Sequence, residues 1–542
     1  MQDKESSARR QLMSGVAIMT LSTAIVKIIG LVYKIPMLNL LSEEGMAYFN
    51  AAYNIYVMFY MISTAGLPVA ISILVSENRV HGNAKNIKKI YRVALALFFV
   101  IGLAGMLCML LLSGQFASMI EMDMSVYCII AIAPTLFFVC LSSAVRGYFQ
   151  GHQIMVHTGV SQIIEAVAKM VIGLLFAAWA LKQGYDLPVV AAFGVLGLTI
   201  GVVLSALYLV LAKIVFEAKH KSTNELQTPY TDTAKKIFSR LVKIAVPITL
   251  SSSVMGVTRI VDTALIASRL QDIGFSVELS TKIYGAYSTL AVPVYNLPPA
   301  IISGISLSLV PMLTAAIEAR NREKEKMVLS SSLRICALFA MPCAVGISMF
   351  SRPILELLFA GQTWAVDTAA PLLSVLGISV LFASMMTVTN AVLQAYGQER
   401  KPIISMAVGC TVNIVFNYLL IGSETFNIYG APLSTLLCTA TVMILNCFFI
   451  KKYAVEFDGV IKLLYRPMAA AILSVGTAFG VYMLLRIKLG ISNVFSLVGI
   501  AVAALLYVVL ALVFRAVETE DIRILPKGEK VLNFFRKIKL VK

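Results

Sequence analysis

With 542 residues, of which 59% are hydrophobic and only 13% charged, the chain has too little polar skin for a soluble protein of its size. Its net charge of +17 does not read as a nucleic-acid footprint, because Lys and Arg sit in short connectors and tails, with no basic domain and no aromatic-interleaved patch. Apolar runs of about twenty residues recur from end to end, each long enough to cross a hydrocarbon core of roughly 30 Å.

Inside such a core the backbone finds no water and must bond to itself, so the runs are expected to be α-helices. The absence of period-2 alternation argues against a β-barrel. Helices are expected at 12–38, 47–75, 90–113, 126–149, 157–181 and 187–211. A second set follows at 244–267, 283–317, 327–350, 369–396, 402–421 and 429–450, and a final pair at 467–485 and 494–514. The N-terminal stretch ends in Arg9 and Arg10 and leads into a run longer than a signal-peptide core, without a small-x-small exit. It reads as an uncleaved first helix. Runs 12–38 and 283–317 exceed a simple span and must tilt or break.

Charge in the connectors supports this order. With the N-terminus in the cytoplasm, the great majority of the 45 Lys and Arg fall on the inner side, and several outer connectors are acidic (Glu43, Glu44, Glu121, Asp123, Glu424). Only Arg486 and Lys488 run against the rule. The expectation is an all-α polytopic membrane protein of about fourteen transmembrane helices, with both termini in the cytoplasm of a bacterial cell.

The longest polar connector divides the chain into an N-terminal lobe (1–212), a cytoplasmic linker (213–243), a C-terminal lobe (244–452), an extra helix pair (453–516) and a basic tail (517–542). The lobes look related. Gln150, His157-Thr158 and Ser161 align with Gln394, Lys401-Pro402 and Ser405 at an offset of about 244, and Lys27 falls roughly opposite Arg259. Two six-helix lobes plus a helix pair are expected, with a central site between the lobes.

Ionisable side chains inside apolar runs cost of order 3 kcal/mol at the bilayer centre, so each is a candidate for function. Those singled out are Lys27 and Lys34, Glu165 and Lys169, and Arg259 and Asp262. Lys27 and Lys34 share one helical face about 10 Å apart along the axis. Glu165–Lys169 and Arg259–Asp262 have the spacing of local ion pairs, which is also the spacing of purely structural bridges, and Lys34 is near enough to a helix end to snorkel. Lys27 has no carboxylate on its own helix. Four cations against two anions suggest a water-filled cavity for an anionic head group such as phosphate or pyrophosphate, for which Arg offers a fork and Lys a point charge. Gly66 and Pro68 on the second helix, and Pro298, Pro299 and Gly304 on the eighth, are candidate hinges, although kinks also serve packing alone.

The eight Cys and four His show neither disulfide nor metal spacing, and no nucleotide-gripping loop, nucleophile elbow or zinc-protease helix is present. The expected protein is not an enzyme, carries no cofactor or metal, and draws any energy from an ion gradient, the membrane potential or a partner.

The stretch Ala144-Val145-Arg146-Gly147-Tyr148-Phe149-Gln150-Gly151, followed by Ser161-Gln162-Ile163-Ile164-Glu165, resembles the stage V sporulation protein B family. The first-helix segment Lys27-Ile28-Ile29-Gly30-Leu31-Val32-Tyr33-Lys34-Ile35-Pro36 strengthens the likeness. That family belongs to the multidrug/oligosaccharidyl-lipid/polysaccharide exporter superfamily and is similar to MurJ-type lipid II flippases. The resemblance implies a MATE/MurJ-like fold, alternating access, a lipid-linked cell-wall precursor as cargo, and a groove for its polyprenyl tail along the last two helices. It places Lys27 at a functional first-helix basic position. The Arg-Asp that follows in those flippases is replaced by Tyr33-Lys34, and an eighth-helix Asp-Arg pair by Tyr287-Ser288, with Arg259 a substitute cation.

Three functions from different classes follow. The first is a flippase for lipid II or a related undecaprenyl-pyrophosphate saccharide, working among membrane lipids, for which the lobe arrangement permits a monomer. The second is a cation-coupled multidrug exporter, which favours unpaired carboxylates facing the cavity. The third is a non-transporting scaffold for a cell-wall or spore-envelope complex.

Overall fold

A computed structural model describes residues 2–219, 231–454, 460–489 and 493–518. The middle of the polar connector and the basic tail beyond 518 lie outside the described residues. The chain forms α1 (Gln2–Thr64), α2 (Leu67–Val80), α3 (Ala84–Leu111), α4 (Ser113–Met119), α5 (Val126–Gly151), α6 (Met155–Lys182), α7 (Leu187–Lys219), α8 (Ala234–Asp272) and α9 (Val277–Ala286). After a π-helical turn at Tyr287–Ala291 come α10 (Val292–Glu318), α11 (Arg322–Met349), α12 (Ser351–Leu358), α13 (Thr363–Ala395), α14 (Arg400–Ile421), α15 (Gly430–Tyr453), α16 (Val460–Leu489) and α17 (Asn493–Val513). Among the described residues there is no strand.

Among the described residues, eleven stretches are long and apolar enough to cross a membrane, the first of them Leu21–Arg79 with 59 residues, about twice what one crossing needs. The expected spans at 244–267 and 283–317 are helical, but they contain side chains outside the described set and are not among the eleven. Eleven is therefore what length and apolarity establish; fourteen stays an expectation. Large apolar side chains such as Leu111, Leu175, Leu211, Leu505 and Val513 are exposed, the pattern of a surface solvated by lipid rather than water.

The chain divides into two compact units, Met1–Gly285 and Ala286–Lys542. This division falls later than the connector at 213–243, so α8 packs with the first unit, against α1, α2 and α3.

In the first unit α1 is not one rod. Ser42 sits at φ 53°, ψ −178°, outside helical geometry. Residues sixteen apart on a straight helix would lie about 24 Å apart, yet Lys34 Nζ donates to Asn50 Oδ1 at 3.2 Å. The rings of Tyr33 and Phe49 meet at 6.2 Å between centres, tilted by 54°. The arms before and after Ser42 are a hairpin, which supplies the break expected between the first two helices. A second break, at Ala65-Gly66, separates α1 from α2, whose first turn carries Pro68. A Cβ on Gly66 would stand 2.1 Å from the carbonyl oxygen of Ala245 on α8, so this position admits only glycine. Helices α6 and α7 approach most closely at Gly173 and Gly197, where an added Cβ would meet backbone at 2.3 Å. Small residues at such crossings let dispersion replace the hydrophobic drive that lipid removes. Thr135 and Thr199, 2.6 Å apart, tie α5 to α7 in the same unit.

In the second unit α13 packs against α10, α11 and α15. Its core gathers Ile302, Leu309, Leu333, Val388, Val392 and Ile450, all buried. The final pair docks on α11 and α12 through Met341, Ala470 and Tyr507, and through Phe350 with Phe479 and Tyr482. Run 283–317, expected to tilt or break, departs from regular α-helix ahead of α10. Pro298, Pro299 and Gly304 lie within continuous helix, and the ladder widens at Tyr287–Ala291, just before Pro293. A proline ring clashes with the carbonyl four residues before it, and a single π turn there relieves the clash.

The C-terminal end of the described chain returns to this unit. Arg466 donates to the carbonyl of Arg515 at 3.1 Å, and Glu518 pairs with Arg334 of α11. Arg334 is 7% exposed within an apolar helix, where a charge needs a partner. Glu518→Ala should lower stability by about 1–3 kcal/mol, the cost of leaving a buried group without its partner, read as a reduced melting temperature in detergent. Unchanged melting would mean that the remaining contacts of Arg334 suffice.

Candidate cation-rich cavity in the first unit

A cavity of about 210 Å³ opens inside the first unit. The arm of α1 before Ser42 contributes Lys27 and Tyr33, the arm after it Tyr53 and Tyr60, α5 Arg146, α6 Gln162, Glu165 and Lys169, and α7 Leu198. The hairpin at Ser42 and the close α6–α7 packing at Gly197 set these side chains around one space.

Glu165 does not pair with Lys169, as its i,i+4 spacing suggests. Its carboxylate accepts from Arg146 Nη2 at 3.0 Å, while Arg146 also donates to Ser161 Oγ at 3.0 Å and Ser205 Oγ at 3.2 Å. The guanidinium is thus held by α5, α6 and α7 together. Arg146 is not among the intramembrane charges singled out from the sequence, although it stands in the apolar run 126–149. Scoring every charge inside a run, including those near its end, would have found it.

Lys169 lies instead among aromatic faces, its Nζ 5.3 Å from the ring centre of Tyr33, 6.0 Å from Phe49 and 5.1 Å from Tyr53. Such faces attract a cation without neutralising it. Lys27 is exposed to the cavity and forms no ion pair among the described residues. Arg259, exposed on α8, is near enough to Lys27 to repel it. Lys34 and Asp262 do not line the cavity; Lys34 is half-buried behind it on Asn50, and Asp262 is half-buried on α8. The structure therefore brings Lys27, Glu165 and Lys169 to one space, adds Arg146, leaves Arg259 within electrostatic reach of Lys27 but outside the lining, and leaves Lys34 and Asp262 outside. Three cations face one carboxylate, and that carboxylate is already engaged. Among the described residues no group of His, Cys, Asp and Glu could hold a metal ion.

Asn54 Nδ2 donates to Thr263 Oγ1 at 3.1 Å and to Tyr284 OH at 3.0 Å. This part-buried polar triad ties α1 to α8 and α9.

Comparison with known proteins agrees with this architecture. A family model described as polysaccharide biosynthesis protein matches residues 12–317, and a second, MatE, matches 264–419. The lipid II flippase MurJ of Bacillus subtilis (strain 168) is 24% identical over 458 residues, 82% of this chain and 83% of its own length. Stage V sporulation protein B of the same organism is 25% identical over 534 residues, 96% of this chain and 98% of its own. A solved structure of the lipid II flippase MurJ in an inward closed conformation superposes with a TM-score of 0.70 at 16% identity, over 92% of this chain and 98% of that one. The kinship is with flippases and transporters, not with enzymes, and the fold is that of a multi-pass membrane protein.

Proposed function

The chain belongs to the polysaccharide biosynthesis protein family, and on that premise we propose that it flips a lipid-linked anionic saccharide of the undecaprenyl-pyrophosphate class, such as lipid II, across the bacterial cytoplasmic membrane. The observation that carries the proposal is the cavity's charge. Lys27 and Lys169 have no carboxylate bonded to them among the described residues, and Arg146 already answers Glu165. Keeping such cations inside an apolar bundle is costly unless an anion visits them. A diphosphate supplies that anion.

In this reading the cavity opens alternately to the two membrane faces. The break at Gly66-Pro68 is the hinge nearest the site, and Pro298, Pro299 and Gly304 serve the second unit. Both termini lie in the cytoplasm, following the side on which Lys and Arg concentrate. The cargo's polyprenyl chain runs along the lipid-exposed apolar surface, and a coupling ion or the membrane potential supplies the energy.

The MatE match over 264–419 favours a second reading, a cation-coupled multidrug exporter. An exporter of cations needs an available carboxylate in its cavity, and the one lining this cavity is bound to Arg146. Purified protein in liposomes distinguishes the two. The flippase reading expects labelled lipid II to cross the bilayer and ethidium to stay; ethidium efflux without lipid movement would replace it with the exporter.

A further inference from the structure

The second unit carries a depression of its own, about 770 Å³ in volume. It lies where α11 begins and where α10, α13 and α15 end. These are the ends of the membrane-crossing stretches Arg322–Met349, Thr363–Ala395 and Asn427–Tyr453, so the depression sits at the depth of lipid headgroups. Tyr396 and Tyr453 line it, as aromatic side chains do at a membrane–water boundary.

The charges in the lining are of both signs and are not spent on one another. The start of α11 supplies Arg322, Glu323, Glu325 and Lys326. Arg322 and Glu325 are three apart, as are Glu323 and Lys326, close enough to pair on a helix. Among the described residues neither pair is made. Glu325 is buried and accepts instead from the hydroxyl of Tyr396 on α13, while Arg322, Glu323 and Lys326 are exposed. A merely solvated patch needs no apolar floor, yet Ile317 and Ala454 provide one and pack against the core of the unit. Lys401 and Lys452 stand 5.9 and 5.8 Å from the ring centre of Tyr453, which makes that wall positive and suited to a phosphate. Glu323 is the group that a phosphate repels and an amine satisfies. A ligand that meets all of these carries a phosphate and an ammonium a few atoms apart, above an apolar part.

We propose that this depression binds the phosphoethanolamine headgroup of a membrane phospholipid, in the leaflet on the side where Lys and Arg concentrate. The phosphate lies at Arg322 and Lys326, and the ammonium lies at Glu323. The glycerol and upper acyl carbons cover Ile317 and Ala454. The site stands apart from the diphosphate reading of the first unit, and neither needs the other.

The test is equilibrium binding to the full-length protein in detergent, read for the first bound lipid by native mass spectrometry. The probes are phosphatidylethanolamine and phosphatidylglycerol with identical acyl chains, and soluble glycerophosphoethanolamine. The wild type should bind phosphatidylethanolamine about tenfold more tightly than phosphatidylglycerol, the effect of one charge-assisted hydrogen bond. In Glu323→Gln this ratio should fall to about one, since the amine loses its carboxylate. Arg322→Gln combined with Lys326→Gln should weaken both lipids, because both carry the phosphate. All three side chains are exposed, so the variants should melt with the wild type. Equal affinity of the wild type for the two lipids, or an unchanged ratio in Glu323→Gln, overturns the proposal. Lipid binding left unaltered by the double substitution places the lipid elsewhere and overturns it as well. Glycerophosphoethanolamine binding as tightly as the lipid would assign the depression to a soluble phosphate ester instead.

Discussion

Arg146→Ala should destabilise the protein by about 3 kcal/mol, because removing one partner of a buried pair strands the other charge in low dielectric. The side chain of Arg146 is 10% exposed and that of Glu165 23%, so the loss belongs at the lower end of the usual 3–5 kcal/mol. Ser161 and Ser205 lose their shared donor as well. The check is a double-mutant cycle in thermal unfolding. Arg146→Ala combined with Glu165→Ala should recover part of the single-variant loss, since no stranded carboxylate remains. Strict additivity of the two substitutions would show that the pair is not coupled and that Glu165 is free to act elsewhere in the cavity.

Lys27→Ala should abolish rescue of a flippase-depleted strain at unchanged membrane levels, and Lys27→Arg should retain it. One charge-assisted contact to a phosphate contributes about 1.5–3 kcal/mol, which corresponds to roughly 10- to 100-fold in affinity. The stability cost should be slight, because Lys27 is exposed to the cavity and pairs with no carboxylate among the described residues. Immunoblots of the membrane fraction separate loss of function from loss of protein. Full rescue by Lys27→Ala at normal levels would remove Lys27 from the binding machinery.

Much of the fold is written in the run lengths. Each expected helix from 90–113 to 187–211, and from 327–350 to 494–514, lies on an observed helix to within a few residues at most ends, since about twenty apolar residues bounded by charge have one stable form in a membrane. Conformations fixed by a single residue are harder to read. Ser42 turns α1 into a hairpin while adopting a positive φ that serine rarely takes, so nothing local announces it. The π turn at Tyr287–Ala291 shows only indirectly, as the residues preceding Pro293. The extent of the first unit, which takes in α8, depends on packing that no run length encodes.

The site divides in the same way. Lys27, Glu165 and Lys169 are legible because charge is costly at that depth. Pairing is not, because helical spacing offers Lys169 to Glu165 while the fold delivers Arg146 from another helix, nineteen positions away in sequence. Aromatic neighbours then take the place of the carboxylate beside Lys169. Tyr53 and Tyr60 are legible as helical spacing, but only the hairpin at Ser42 shows that they share a cavity with the two lysines.

The most direct measurement is a cryo-electron microscopy structure of the protein with a short-chain prenyl diphosphate. The account predicts the diphosphate between Lys27 and Lys169 in the first unit, with both amino groups at hydrogen-bond distance and the Arg146–Glu165 pair intact. A diphosphate bound elsewhere, with the two lysines untouched, would contradict it.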